Sequence, residues 1–235
     1  MPASRTIRGT GFGLSLFVAV LLTAADNSNE AAKFLALGVS YAARGDYAAA
    51  VEPFHRACLL DAKLPDACLY FARTLYLLDR FDDAVNVLRT AMENDSQNPQ
   101  IYRIEALALE ASGKAGEAEA AFREAIRLEK HSPPNEDPSI DYGVFLYRQG
   151  RAEAALEPLQ AALARHPDAS RAQLELGCVL LALDRVKQAA EHLERATALD
   201  PQGARGHLLL GKAYQRLGKT EQARKELDQG SRTVK

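Results

Sequence analysis

The sequence predicts an all-α protein, a solenoid of stacked antiparallel helix pairs. Three observations predict it. One segment pattern recurs six times, nearly always 34 residues apart. Within each copy, apolar side chains fall at three- and four-residue spacing, and glycine or proline breaks the pattern at fixed places. A period of this length is the signature of a repeat array, in which each unit leaves an apolar stripe that only its neighbours can cover.

Composition agrees. Of 235 residues, 47% are apolar, 26% are charged and only 7% are aromatic, with no tryptophan. That balance belongs to folded chains and not to disordered ones, and the many alanines suit helices that approach closely. The formal net charge of −2 gives none of the basic footprint of a nucleic-acid binder.

The first element is a leader. Arg5 and Arg8 precede an uncharged run at residues 11–25, which ends in the small residues Thr23, Ala24 and Ala25. This is the order of parts in a secretory signal peptide, assigned to residues 1–25. A membrane-spanning helix needs about 20 apolar residues, more than this run supplies. Cleavage and export to a periplasmic or extracellular space are therefore expected, with an uncleaved membrane anchor as the alternative. No cysteine follows the run to carry a lipid. Loss of the leader removes two of 29 basic residues and none of 31 acidic ones, leaving a net charge of −4.

The repeats follow over residues 26–235, starting near Ala31, Pro65, Pro99, Glu136, Ser170 and Ala204. In the first, Leu37, Gly38 and Tyr41 share one helix face and Ala50, Phe54 and Ala57 another, with a break at Arg44-Gly45-Asp46-Tyr47. His166-Pro167 and Asp200-Pro201 mark turns between units, since a helix does not run on into proline. Three extra residues enlarge the interval before the fourth unit, an insertion near residues 131–138 that reads as a tolerated loop. In the last unit Arg224 and Ser231 stand where earlier units carry apolar residues such as Val85, Met92, Leu156 and Leu163. A polar outer face of that kind caps a terminal repeat.

The aligned positions carry a resemblance to the tetratricopeptide repeat. A small residue midway through the first helix is Gly38, Ala72, Ala106, Gly143, Gly177 or Gly211. Alanine begins the second helix at Ala50, Ala84, Ala118, Ala155, Ala189 and Ala223, and a large residue follows at Phe54, Leu88, Phe122, Leu159, Leu193 and Leu227. The family's early tryptophan is absent, and its closing proline survives only as Pro167 and Pro201. The resemblance implies a right-handed superhelical solenoid of about six units, whose first helices line a concave groove for a segment of another protein. It assigns to that groove Leu69, Arg73, Tyr76, Arg103, Tyr147, Arg148, Arg171, Lys212 and Arg216, together with Leu35, Val39, Leu77, Leu107, Ile140, Val144 and Leu174. Tyrosine, aliphatic and arginine side chains are what interface hot spots favour, and the cations suit a partner with some negative charge. A carboxylate clamp of lysine and asparagine is not expected, because Leu35, Val39 and Leu69 hold its places.

Nothing points to catalysis, a metal or a cofactor. The five histidines are scattered, no cysteine pair has zinc spacing, and neither a phosphate loop nor a nucleophile elbow is present. Carboxylate pairs such as Asp82-Asp83 or Glu117 and Glu119 read as solvated helix faces. Cys58, Cys68 and Cys178 make an odd count. Sequence alone leaves open whether Cys58 bridges Cys68, since it does not fix a Cα separation, and buried cysteine more often serves as a small apolar filler. The expected function is a non-catalytic scaffold for protein–protein contact, an assembly factor of a cell envelope, with a membrane-tethered structural subunit of a fixed complex as the alternative. Membrane contact is expected only if the leader stays in place.

Overall fold

Each helix pair is closed by the same backbone device. In the turns between partner helices the chain takes a left-handed conformation at Gly45, Asp79, Gly113, Gly150, Asp184 and Gly218, with φ between 58° and 77°. Glycine adopts that conformation without steric cost, while aspartate tolerates it at about 1 kcal/mol. Helix starts are set by side-chain caps at Asp46, Asn98 and Asp137, which accept from the backbone N–H groups of Ala49, Gln100 and Ser139. Pro99 and Pro138 sit at first helical positions, where no N–H is missed.

A computed structural model describes residues 12–64 and 66–232, with side chains from residue 26 onward. The expected leader therefore lies outside the described residues except for the backbone of 12–25, as does the expected repeat start at Pro65. Among the described residues no helix is long and apolar enough to cross a membrane.

The described chain is all-helical and divides into two compact units. Unit 1 holds α1 (Phe12–Ala43), α2 (Tyr47–Leu60), α3 (Ala67–Leu77) and α4 (Phe81–Asn94), each packed on the next. Phe54, Ala57, Ala72, Leu75 and Leu88 form its core. Gly38 allows α1 to lie against Phe54; a Cβ there would stand 2.5 Å from the ring.

Cys58 of α2 and Cys68 of α3 are joined by a disulfide. This corrects the expectation of filler thiols. The turn between the helices brings the two Cα atoms to 4.7 Å, inside bridging range, and that distance depends on turn geometry that residue types do not specify. Cys178 is free and half-buried.

Unit 2 holds α5 (Pro99–Ala111), α6 (Ala115–Leu128), α7 (Pro138–Arg148), α8 (Ala152–Arg165), α9 (Ser170–Ala182), α10 (Val186–Leu199), α11 (Ala204–Arg216) and α12 (Thr220–Arg232). Phe122, Phe145, Leu146, Leu159, Leu176 and Leu193 are buried in its core. The first helices of successive pairs, α5, α7, α9 and α11, also touch one another and make one continuous face.

The insertion before α7 is pinned. It forms a 3-10 turn at Pro134–Glu136 and ends on Asp137, which is fully buried. Arg165 grips the Asp137 carboxylate through Nε and Nη2, both at 2.9 Å, and also donates to Ser139. Arg171 donates from its backbone N–H and its guanidinium to Asn135. Burial pushes the Asp137 carboxyl up, but the hydrogen bonds from Arg165 and the Ser139 N–H outweigh it and hold the group below the usual carboxylate range.

Candidate functional site

The first-helix faces of the two units have different chemistry. In unit 1, α1 and α3 flank a cleft of about 260 Å³ floored by α2. Val39, Ala42, Tyr47, Tyr70, Arg73 and Leu77 line it. Val39 and Leu77 are 43% and 44% exposed, as is Leu37 at 43%. Exposed aliphatics grouped around a cleft are the usual mark of a binding surface. Tyr70 is held by stacking on Phe54, with ring centroids 5.7 Å apart. Arg73 stands exposed at the rim and makes no ion pair among the described residues.

Of the residues the sequence assigned to this part of the groove, the cleft gathers Val39, Arg73 and Leu77. Tyr76 is half-buried and meets Phe81 at the head of α4, with centroids 5.7 Å apart. Leu69 and Leu35 are half-buried and lie outside the cleft lining. Tyr70, which completes the wall, was missed by sequence reasoning. Its signal was an aromatic residue in the column that carries Asp141 and Glu175 in later repeats.

In unit 2 the same face is charged, and the charges answer one another. Arg103 of α5 donates Nε to Asp141 of α7 at 2.5 Å, and Arg171 of α9 pairs with the other oxygen of that carboxylate. The Asp141 side chain is 2% exposed and that of Arg103 is 12% exposed. Arg205 of α11 grips Glu175 of α9 through two bonds at 2.5 and 2.9 Å. Arg171 and Arg205 each reach an acid 30 residues earlier, so one device recurs in successive repeats. Guanidinium–carboxylate pairs with fixed geometry set the register of the stack more than they add stability.

The remaining assigned residues are dispersed over this unit. Tyr147 is half-buried near Cys178, whose sulfur, followed by burial, pushes the phenol above its ordinary range. Arg148 is exposed and reaches Glu110 at 3.4 Å. Arg216 bonds the Leu181 carbonyl at 2.9 Å and pairs with Asp184. Lys212 is exposed and makes no ion pair among the described residues. Ile140 was expected to front the groove and is wholly buried instead, because the residues around it anchor α7 in the core. Val144, Leu107 and Leu174 are half-buried. Among the described residues, no group of three or more histidine, cysteine or carboxylate side chains is placed to hold a metal ion.

Two family profiles, each described as Tetratricopeptide repeat, match the chain, one at residues 143–204 and the other at 41–108 and 180–234. The second alone spans just over half of the sequence. The BBSome complex member BBS4 of Bos taurus is 29% identical over 125 residues, which are 53% of this chain and 23% of that protein. The chain thus spans under a quarter of that relative. Among solved structures, PilW, a type IV pilus biogenesis factor, is 21% identical with a TM-score of 0.71, over 83% of this chain and 90% of PilW. YrrB, a repeat protein with an unusual peptide-binding site, is 22% identical with a TM-score of 0.55, over 77% of this chain and 91% of YrrB. At these identities the two structures share the fold.

Proposed function

The chain belongs to the tetratricopeptide-repeat family, and from that premise we propose that it is a non-catalytic scaffold that holds a segment of a partner protein on its first-helix faces. The observation that carries this reading is the α1–α3 cleft. There, aliphatic side chains that a folded chain normally buries stand open beside Arg73. An extended or helical segment with apolar anchors and a carboxylate near Arg73 fits that chemistry. Tyr147, Arg148, Lys212 and Arg216 offer further contacts on unit 2, whereas Arg103 and Arg171 act there through the Asp141 clasp.

An exported chain, with residues 1–25 removed as a leader, completes the proposal. Its supports are the uncharged run at residues 11–25 and the Cys58–Cys68 bridge, since disulfides persist in oxidising compartments. The proposed role is assembly in a cell envelope, and the fold shared with the pilus biogenesis factor PilW is consistent with it.

The test is affinity capture from the native envelope fraction with the chain and with a Val39→Asp, Arg73→Glu variant of unchanged helical content. A partner enriched by the first and lost by the second supports the cleft as the receptor. A partner retained equally by both contradicts it.

A further inference from the structure

Unit 2 carries a second cleft, on the side of the second helices. It lies between α6 and α8 with α7 as its floor and has a volume of about 440 Å³. Its place follows from the insertion. The repeat interval that holds the α6–α7 connector is three residues longer than the others, and α6 packs on α7 more sparsely than α8 on α9 or α10 on α11. The pinned insertion thus holds two helix pairs slightly apart where the later junctions of unit 2 close.

Ile126, Leu146 and Pro158 give the cleft an apolar lining, and Tyr142 lines it beside them, held in an aromatic cluster with Phe122 and Phe145. The rim carries Arg123, Arg151 and Arg165, whose side chains are 66%, 45% and 42% exposed. Each is anchored from below. Arg123 and Arg151 share Glu119, which also accepts from Tyr142, and Arg165 holds buried Asp137. The anchors fix the guanidiniums while, among the described residues, each keeps one terminal nitrogen without a hydrogen bond: Nη1 of Arg123, Nη2 of Arg151 and Nη1 of Arg165. Glu157 stands on the same rim.

We propose that the α6–α8 cleft is a second docking site, taking a partner segment in which one bulky apolar side chain adjoins one or two carboxylates. The apolar side chain fills the floor, and the carboxylates accept from the terminal N–H groups that the anchored guanidiniums leave open. Glu119, Asp137 and Glu157 bring the local charge near balance, and the whole chain is acidic. A polyanion such as nucleic acid or an anionic membrane therefore gains no long-range attraction here, whereas a short acidic segment gains contacts at close range.

The probe is a fluorescent peptide with a central phenylalanine flanked by two glutamates, titrated against the full chain by anisotropy. Leu77→Trp obstructs the α1–α3 cleft, so that binding that persists in it belongs to the α6–α8 cleft; in that background Ala154→Trp obstructs the α6–α8 cleft and Arg151→Gln removes one rim cation. Thermal melts verify folding of all three. Saturable binding is expected to persist in Leu77→Trp and to weaken about tenfold or more when Ala154→Trp or Arg151→Gln is added. Replacing either the phenylalanine or the glutamates of the probe has a similar effect. Absence of saturation, or equal affinity of Leu77→Trp with and without Ala154→Trp, overturns the proposal. Loss with Leu77→Trp alone moves the probe to the other cleft and overturns it too, as does stronger competition by heparin than by unlabelled peptide.

Discussion

Gly177 and Leu193 are the contact on which one helix pair closes: a Cβ added to Gly177 would stand 2.6 Å from Leu193 Cγ and 3.4 Å from the Ala189 carbonyl oxygen. The same 16-residue relationship joins Gly143 to Leu159 and Gly211 to Leu227. Gly177→Ala therefore forces a branched carbon away at an overpacking cost of about 1–3 kcal/mol, offset by roughly 1 kcal/mol of helix propensity. A net loss of about 1 kcal/mol is expected in urea unfolding. Gly116→Ala is the control with the opposite sign, because nothing lies within 4 Å of a Cβ there. Ala189→Leu, at a fully buried position, lowers the melting temperature further than Gly177→Ala.

The left-handed turns give a second test. Asp79 holds φ 58° where four equivalent turns use glycine. Asp79→Gly raises stability by up to about 1 kcal/mol, while Asp79→Val lowers it by more than that, since a branched side chain resists this conformation. Equal melting temperatures for the two variants would contradict the assignment.

Much of this was legible in the residues. The small-to-large pairing repeats in every unit, so periodicity alone exposed the helix pairs, their closest contacts and the polar positions Arg224 and Ser231, both exposed. The clasps were less legible. Arg171 with Asp141 and Arg205 with Glu175 join different repeats at a 30-residue separation, and that register depends on the offset between stacked pairs, which one repeat does not encode. Asp141, which no sequence pattern singled out, is buried between two arginines. The Cys58–Cys68 bridge depended on a turn, and the α6–α8 cleft on how an insertion packs.

The Asp141 clasp predicts a large single-site effect. Asp141→Asn leaves Arg103 and Arg171 without a carboxylate in a site where the acid is 2% exposed. Removing one partner of a buried ion pair costs about 3–5 kcal/mol, so the melting temperature falls by several degrees or more. A loss like that of an exposed pair such as Arg56–Glu52 would show that the clasp contributes little.

The acid limb of stability reports Asp137. Its folded carboxyl is held below the ordinary value, so its contribution is complete above about pH 4 and is lost as pH falls through the folded value. Asp137→Asn is less stable than the parent at pH 7, and the difference narrows on acidification. A difference constant with pH excludes this linkage.

The disulfide closes a short loop in unit 1 and contributes about 3 kcal/mol by restricting the unfolded chain. Under denaturing, non-reducing conditions one titratable thiol is expected, that of Cys178, and three after reduction. Three thiols before reduction would remove the bridge and, with it, a support for export.

The central claim is that a partner segment occupies the α1–α3 cleft. The most direct measurement places a photoreactive amino acid at residue 77, inside the cleft, or at exposed residue 89 on α4, and cross-links in the native envelope fraction. A discrete adduct from residue 77 and none from residue 89, abolished by Arg73→Glu, is the predicted result. Adducts from residue 89 alone, or adducts at residue 77 indifferent to Arg73→Glu, would contradict the account.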